Sequence, residues 1–102
     1  VSANPVRGEV ALPLGGVARV LRPSFSALVA AEEEAGSLFL MLDRAASGQA
    51  RISDMSALFW NCLGDRQDGE GRASFEAALL AQGVAALLPV YRALLSAVFG
   101  GR

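Results

Sequence analysis

Hydrophobic and polar positions change their period once along this chain. From Arg7 to Arg22 the period is two, with Val10, Leu12 and Leu14 alternating against Glu9, Ala11 and Pro13, as in a strand with one buried face. Gly15-Gly16 can supply the positive φ angles of a two-residue primed turn. That turn predicts a hairpin pairing Leu14 with Val17, Leu12 with Arg19, Val10 with Leu21 and Glu9 with Arg22. Val10, Leu12, Leu14, Val17 and Leu21 then share a face, which must rest on helices because a lone hairpin is marginal in water. Pro13 has no N–H for the ladder, so its strand belongs at an edge or a bulge.

From Pro23 onward the period is helical. Ser24 is placed to cap a helix carrying Phe25, Leu28 and Val29, and Gly36 to stop it in a left-handed cap. Ser37 reopens a helix through Leu38-Phe39-Leu40-Met41-Leu42 as far as Ser47-Gly48. That helix is apolar nearly all round, which puts it in the middle of the domain or against a partner. Ser53 reads as the cap of a third helix, with Asp54 in its first turn and a stripe of Met55, Leu58, Phe59 and Cys62. After the polar loop 64–71, Ser74 reads as the opening of a fourth helix from Phe75 to about Gln82, closed by Gly83. The last helix has a stripe of Val84, Leu87, Leu88, Tyr91, Leu95 and Val98, and Pro89 within it predicts a kink or a start nearer Leu88. The expected fold is α+β, mainly α: an N-terminal β-hairpin packed on a bundle of four to five short helices. Residues 1–102 are expected to form one domain, with a loose tail over 1–6, the hairpin over 7–22 and the helical part over 24–99.

Composition supports helix over sheet. Nineteen alanines and fifteen leucines stand against a single isoleucine, Ile52. All nine cations are arginine, and Lys, His and Thr are absent, which points to a GC-rich coding sequence. A net charge of −1 supplies no long-range field for steering the chain onto a polyanion, so nucleic acid is not an expected partner. The lone Cys62 excludes an internal disulfide and favours a reducing compartment. No signal-peptide pattern is visible at Val1–Pro5, and the longest apolar region, 77–99, is broken by Gln82, Pro89 and Arg92. The reading is a cytoplasmic chain with no membrane span.

Few residues invite chemistry. Without His or Lys no triad built on those bases exists, and no Ser stands in a G-x-S-x-G elbow. Cys62 lies on an apolar stripe with no base at hand, as an inert core thiol does. Glu32-Glu33-Glu34 fan out around their helix instead of converging, so they read as a solvated face. Asp65–Glu70 fails the calcium-loop spacing and reads as a flexible surface loop. One Cys and no His cannot build a zinc site. No enzyme activity, metal or cofactor is expected.

The remaining signal is apolar surface. Trp60 sits about 140° around the helical wheel from Met55, off the main stripe, where it either packs against a neighbouring helix or, if exposed, serves as a binding hot spot. Phe39 and Leu40 also lie off any single face. Together they suggest more apolar surface than one small core absorbs, and therefore protein–protein association. Arg7, Arg19 and Arg22 fall on the hairpin, either as ordinary surface charge, with Arg22 facing Glu9, or as a small patch for an anionic partner. Phe39, Leu40, Trp60, Arg19 and Arg22 are the candidate interaction residues, with a homo-oligomer as a further option.

One family resemblance spans about nine-tenths of the chain. Arg7-Gly8-Glu9-Val10, then Gly15-Gly16, then Leu21-Arg22-Pro23-Ser24-Phe25 resembles the N-terminal hairpin and first helix of the small tail-module proteins of gene transfer agents. Leu42-Asp43-Arg44-Ala45 with Gly48, Ile52-Ser53-Asp54-Met55 with Leu58, and the Leu/Ala-rich 84–99 continue the likeness. The resemblance implies a role in building the tail of a siphophage-like particle, and members of the family are described both as tail assembly chaperones and as tail tube proteins. A tube subunit needs a continuous sheet, whereas a helical chain with spare apolar surface suits a chaperone for a long helical tape-measure protein. A structural tail role and a regulatory adaptor unrelated to phage tails are the alternatives.

Overall fold

The computed structural model describes Ala3, Asn4 and residues 8–100; Arg7 and most of the expected tail lie outside the described residues. Strands β1 (Val10–Leu14) and β2 (Val17–Leu21) are followed by helices α1 (Phe25–Ala35), α2 (Leu38–Ala46), α3 (Ile52–Cys62), α4 (Arg72–Gln82) and α5 (Val84–Gly100). This is the expected α+β, mainly helical arrangement. The strands pair antiparallel as Val10↔Leu21, Leu12↔Arg19 and Leu14↔Val17, in the predicted register. Gly15 and Gly16 take φ of +57° and +80°, the two positive values a primed turn requires.

The register decides where the sheet can grow. In this ladder the odd residues of β2 face β1, so Ala18, Val20 and Arg22 point their backbone groups outward. The outer edge of β2 is occupied: Gly64 N donates to Val20 O at 2.8 Å, and Arg22 N donates to Cys62 O at 2.6 Å. A bridge between Leu21 and Leu63 marks the same junction. On the outer edge of β1, Glu9 N donates to Asn4 O at 3.0 Å. Pro13, opposite Ala18, has no N–H to offer there. Backbone partners therefore occupy the open end of each edge, at Glu9 and at Val20 and Arg22, and the proline interrupts β1 near the turn.

Leu12, Leu14 and Leu21 are buried on the inner face, with β1 lying against α4 and α5. Val17, expected on that face, is 58% exposed, because it flanks the turn. Val20, on the opposite face, is also buried, beside the Leu63 junction at the end of β2.

The enclosed helix is α3, not α2. Every residue from Asp54 to Phe59 is buried, as is Cys62, and α3 packs against α1, α4 and α5. Each large side chain such as Phe59 contributes about 1.5–3 kcal/mol on full burial. Helix α2 buries Leu38, Met41 and Ala45 but leaves Phe39 and Leu40 exposed. Its first turn is fully satisfied. Ser37 Oγ accepts from Phe39 N and Leu40 N, Ser37 O from Met41 N, and Glu32 Oε2 from Leu38 N at 2.9 Å. Ser24 likewise accepts from Ala27 N at 3.2 Å to cap α1.

Two helix starts differ from expectation. Helix α3 begins at Ile52 with Arg51 as N-cap, so Ser53 lies inside it; α4 begins at Arg72 with Gly71 as N-cap, so Ser74 lies inside its first turn. Neither cap makes a side-chain hydrogen bond. Tertiary contacts outweigh the serine preference here: Asp54 is drawn to Arg44, and Arg72 pairs with Glu34 and Glu76. Helix α5 starts at Val84, not near Leu88, and carries Pro89 inside. Gly83 both ends α4, donating its N–H to Leu79 O and Leu80 O, and opens α5 by accepting from Ala86 N. The two helices meet at 109°.

One polar group group stands deep in the core. Arg44 Nη2 reaches Asp54 Oδ2 at 2.7 Å, with the Asp54 side chain 2% exposed and that of Arg44 26%. Nearby, the buried Tyr91 hydroxyl has no hydrogen-bond partner among the described residues. Burial, then the Asp54 charge, push its pKa up to about 12. Its ring packs edge-on against Phe59 at 6.0 Å.

Arg44→Ala strands a buried carboxylate and is expected to cost about 3–5 kcal/mol. Asp54→Ala should cost less, because the Arg44 guanidinium can turn to water; equal losses in urea melts would refute this asymmetry. Tyr91→Phe removes an unsatisfied hydroxyl and keeps the ring pair. A gain of about 1 kcal/mol is expected, raising the melting temperature by roughly 4–8 °C. A clear loss of stability would mean that the hydroxyl is satisfied in solution.

Candidate protein-interaction surface

Arg19 and Arg22 of the hairpin both pair with carboxylates. Arg19 makes a two-pronged contact with Glu70, Nη1–Oε2 at 2.9 Å and Nη2–Oε1 at 2.8 Å, and its Nε lies 3.3 Å from Asp65 Oδ1. Its side chain is 13% exposed. Arg22 Nε donates to Glu9 Oε2 at 2.7 Å, the expected cross-strand pair. The loop 64–71, expected to be flexible surface, is thus tied to the hairpin, and Glu70 also accepts from Gln67 N at 3.1 Å.

Trp60 is half-buried between α3 and α4. Its ring packs on Phe75 at 5.4 Å between centroids, and the Arg66 guanidinium lies 4.0 Å over it, within cation–π range. Arg72 stands 5.8 Å from the same ring. Arg72 also binds both oxygens of Glu34, and its Nε reaches Glu76 Oε2 at 3.1 Å. Ser56 donates to Glu76, and Asn61 Nδ2 to Glu34 Oε1 at 3.1 Å. The glutamate run is therefore divided: Glu32 caps α2 and Glu34 joins α1 to α3 and α4.

Phe39 is 70% and Leu40 54% exposed. Phe39 meets Phe99 of α5 edge-on at 5.0 Å, so the patch spans the exposed face of α2 and the end of α5. The other exposed large apolar side chains include Phe25 of α1, Ile52 of α3 and Leu80 of α4. Ile52 and Leu80 border a groove of about 360 Å³ between α3, α4 and the start of α5, which Met55, Leu79, Val84 and Leu87 also line. Sequence reasoning missed this groove. Leu80 follows the buried Leu79 on one helix, about 100° around the wheel, so Phe75 and Leu79 facing the core already implied that Leu80 faces out. Ile52 stands outside the helix that a Ser53 cap predicts, since the helix begins two residues earlier than that cap allows.

The groups that could do covalent chemistry are quiet. Cys62 is buried, and desolvation pushes its thiol up to about 12, so it is not a thiolate at neutral pH. Among the described residues, no three Cys, Asp or Glu side chains come together as a metal cluster. No helix among them is by itself long and apolar enough to cross a membrane.

A family model described as phage tail tube protein, GTA-gp10, matches residues 7–101. The chain belongs to this family. No curated protein and no solved structure matches it. Its place is therefore among phage and gene-transfer-agent tail proteins, where contact with other tail components is the general expectation. The match runs through the hairpin, the Arg19 clasp and both apolar surfaces.

The clasp makes this tail-family protein sensitive to acid. The hydrogen bonds from Arg19 hold the Glu70 carboxyl below its ordinary value of 4.5, and those from Arg72 do the same for Glu34. A carboxylate with a lowered folded pKa stabilises fully above its unfolded value, and the contribution is lost as pH falls through the folded value. Stability should therefore decline below pH 4.5, and Arg19→Met should make that decline shallower. Urea melts across the window test this, and an unchanged slope in the variant would exclude the clasp as its source.

Proposed function

We propose that this chain is a non-enzymatic tail assembly chaperone, holding apolar helical segments of tail components such as the tape-measure protein during morphogenesis. The observation that carries this reading is the obstruction of the hairpin's edges. A tube wall built from sheet needs strand edges that neighbouring copies can extend. Here Pro13 and the Asn4 contact obstruct the edge of β1, and the Cys62–Gly64 segment occupies that of β2. Exposed Phe39, Leu40, Ile52 and Leu80 supply the contact area an apolar helix would use. The absence of His and Lys and the buried, protonated Cys62 thiol support a binding role over catalysis.

The description of the family as tail tube proteins favours a second reading, a structural place in the particle. Co-expression with a tape-measure fragment, combined with composition analysis of purified particles, separates the two. A soluble complex with the fragment, and absence of the chain from finished particles, is the expected result. Ring-stoichiometric amounts in the particle, or failure to bind any tail component, would overturn the chaperone reading.

A further inference from the structure

The geometry points to α2 as a detachable helix, released when Asp54 exchanges the Arg44 guanidinium for the Tyr91 hydroxyl. The device belongs to the free chain, so it stands or falls independently of the chaperone reading.

Helix α2 is lightly embedded. It buries three residues, Leu38, Met41 and Ala45, where α3 buries seven. Among the described elements none runs closely alongside α2 as α1 does beside α3. Between α2 and α5 lies a cleft of about 190 Å³, with Leu42, Ala45 and Ala46 on one side and Arg92, Leu95 and Ser96 on the other. Atoms lining such a gap lack partners across it, so apolar contact does little to hold this face down. Gly36 and Gly48 bracket the helix at φ of +99° and +76° and can absorb a change in chain direction. Few buried contacts beside a cleft mark a segment that opens before the whole fold does.

The last turn is held by charge. The first turn is tied to Glu32 and to Phe99, but Arg44 reaches inward, donating to Asp54 through Nε at 3.1 Å and Nη2 at 2.7 Å. The Asp54 side chain is 2% exposed. If α2 left and nothing replaced Arg44, a buried carboxylate would be stranded at high cost. That cost alone would keep the helix shut.

The Tyr91 hydroxyl removes it. It is buried and has no hydrogen-bond partner among the described residues, an arrangement that calls for an explanation in a native fold. Both bonds from Arg44 end on Asp54 Oδ2, which leaves Oδ1 able to accept. The hydroxyl stands within the field of both charges: Asp54 raises its pKa and Arg44 lowers it, and burial, the largest cause, helps bring it to about 12. It is therefore a protonated donor at neutral pH. With Arg44 docked the hydroxyl goes unsatisfied, and with Arg44 gone it can donate to the carboxylate, a charge-assisted bond of the stronger kind. The two arrangements each satisfy one partner of Asp54, so the closed state carries a built-in cost that opening relieves.

Hydrogen exchange at neutral pH tests the detachment. Amides of residues 42–46 are expected to exchange at least tenfold faster than the buried amides of α3, and Tyr91→Phe should slow them at least tenfold, since the open state then loses its replacement donor. Thermal melts test the exchange of partners. Tyr91→Phe should raise the melting temperature of the natural chain but lower it in an Arg44→Met background, where the hydroxyl already serves Asp54. Exchange of α2 and α3 at one common rate, or α2 rates indifferent to Tyr91→Phe, overturns the inference. So does a melting shift of the same sign in both backgrounds. Should Arg44→Met not fold, the exchange rates of the natural chain and of Tyr91→Phe decide the matter by themselves.

Discussion

The fold depends on the backbone junction between the hairpin and the end of α3. An isolated two-stranded hairpin is marginal in water, and this one is held by Arg22 N to Cys62 O and Gly64 N to Val20 O. Those bonds anchor β2 to the most buried helix in the chain, which is why Leu12, Leu14 and Leu21 reach the core. The approach is close: a Cβ at position 64 would lie 3.2 Å from that of Arg22, so glycine serves there for space. The same junction occupies the outer edge of β2 at Val20 and Arg22. One local contact thus anchors the hairpin and takes up part of the edge that a further strand would use.

Charge follows the same economy of placement. Arg19, Arg22, Arg44 and Arg72 all lie in ion pairs, and each joins separate segments: hairpin to loop, one end of the hairpin to the other, α2 to α3, and α4 to α1. Pairs of this kind, partly desolvated and hydrogen-bonded, contribute more to which arrangement forms than to net stability. Their consequence for the surface is subtraction. These guanidiniums are engaged with carboxylates, while Arg51, Arg66 and Arg92 stay exposed beside the apolar side chains.

The hairpin was legible in the sequence because its information is local. A Gly-Gly turn has one register, and period-two alternation has one inner face. The caps at Ser24 and Ser37 were legible for the same reason, as was most of the buried stripe of α5. The errors arose where distant contacts overrule local preference. Ser53 and Ser74 are good cap residues, yet ion pairs at Asp54 and Arg72 carry both helices past them. Helix α2 is the more apolar by pattern, yet α3 is enclosed, because helix order in space and not composition decides which one the others surround. Trp60 shows the same limit: its wheel position placed it off the stripe but could not foretell Phe75 on one side and Arg66 over its ring. Of the candidate residues, Phe39 and Leu40 lie exposed as their positions implied, while Arg19 is committed inside the chain.

A chain of 102 residues retains only about 5–15 kcal/mol of net stability. Phe25, Phe39, Ile52 and Leu80 are exposed by more than half and contribute little to it. Each would release about 1.5–3 kcal/mol if a partner covered it fully, so the missing contacts amount to stored affinity. Apolar pockets discriminate poorly, since one methylene more or less is worth only about 1–3 kcal/mol, and a hairpin obstructed at its edges adds little specificity through strand pairing. Recognition by such surfaces tolerates variation in whatever covers them. A long helix that repeats leucine-sized residues offers many near-equivalent sites and tolerates weak discrimination at each, whereas a tube wall requires one register repeated without error. The physical character of the exposed surface therefore argues in the same direction as the obstructed edges of the sheet.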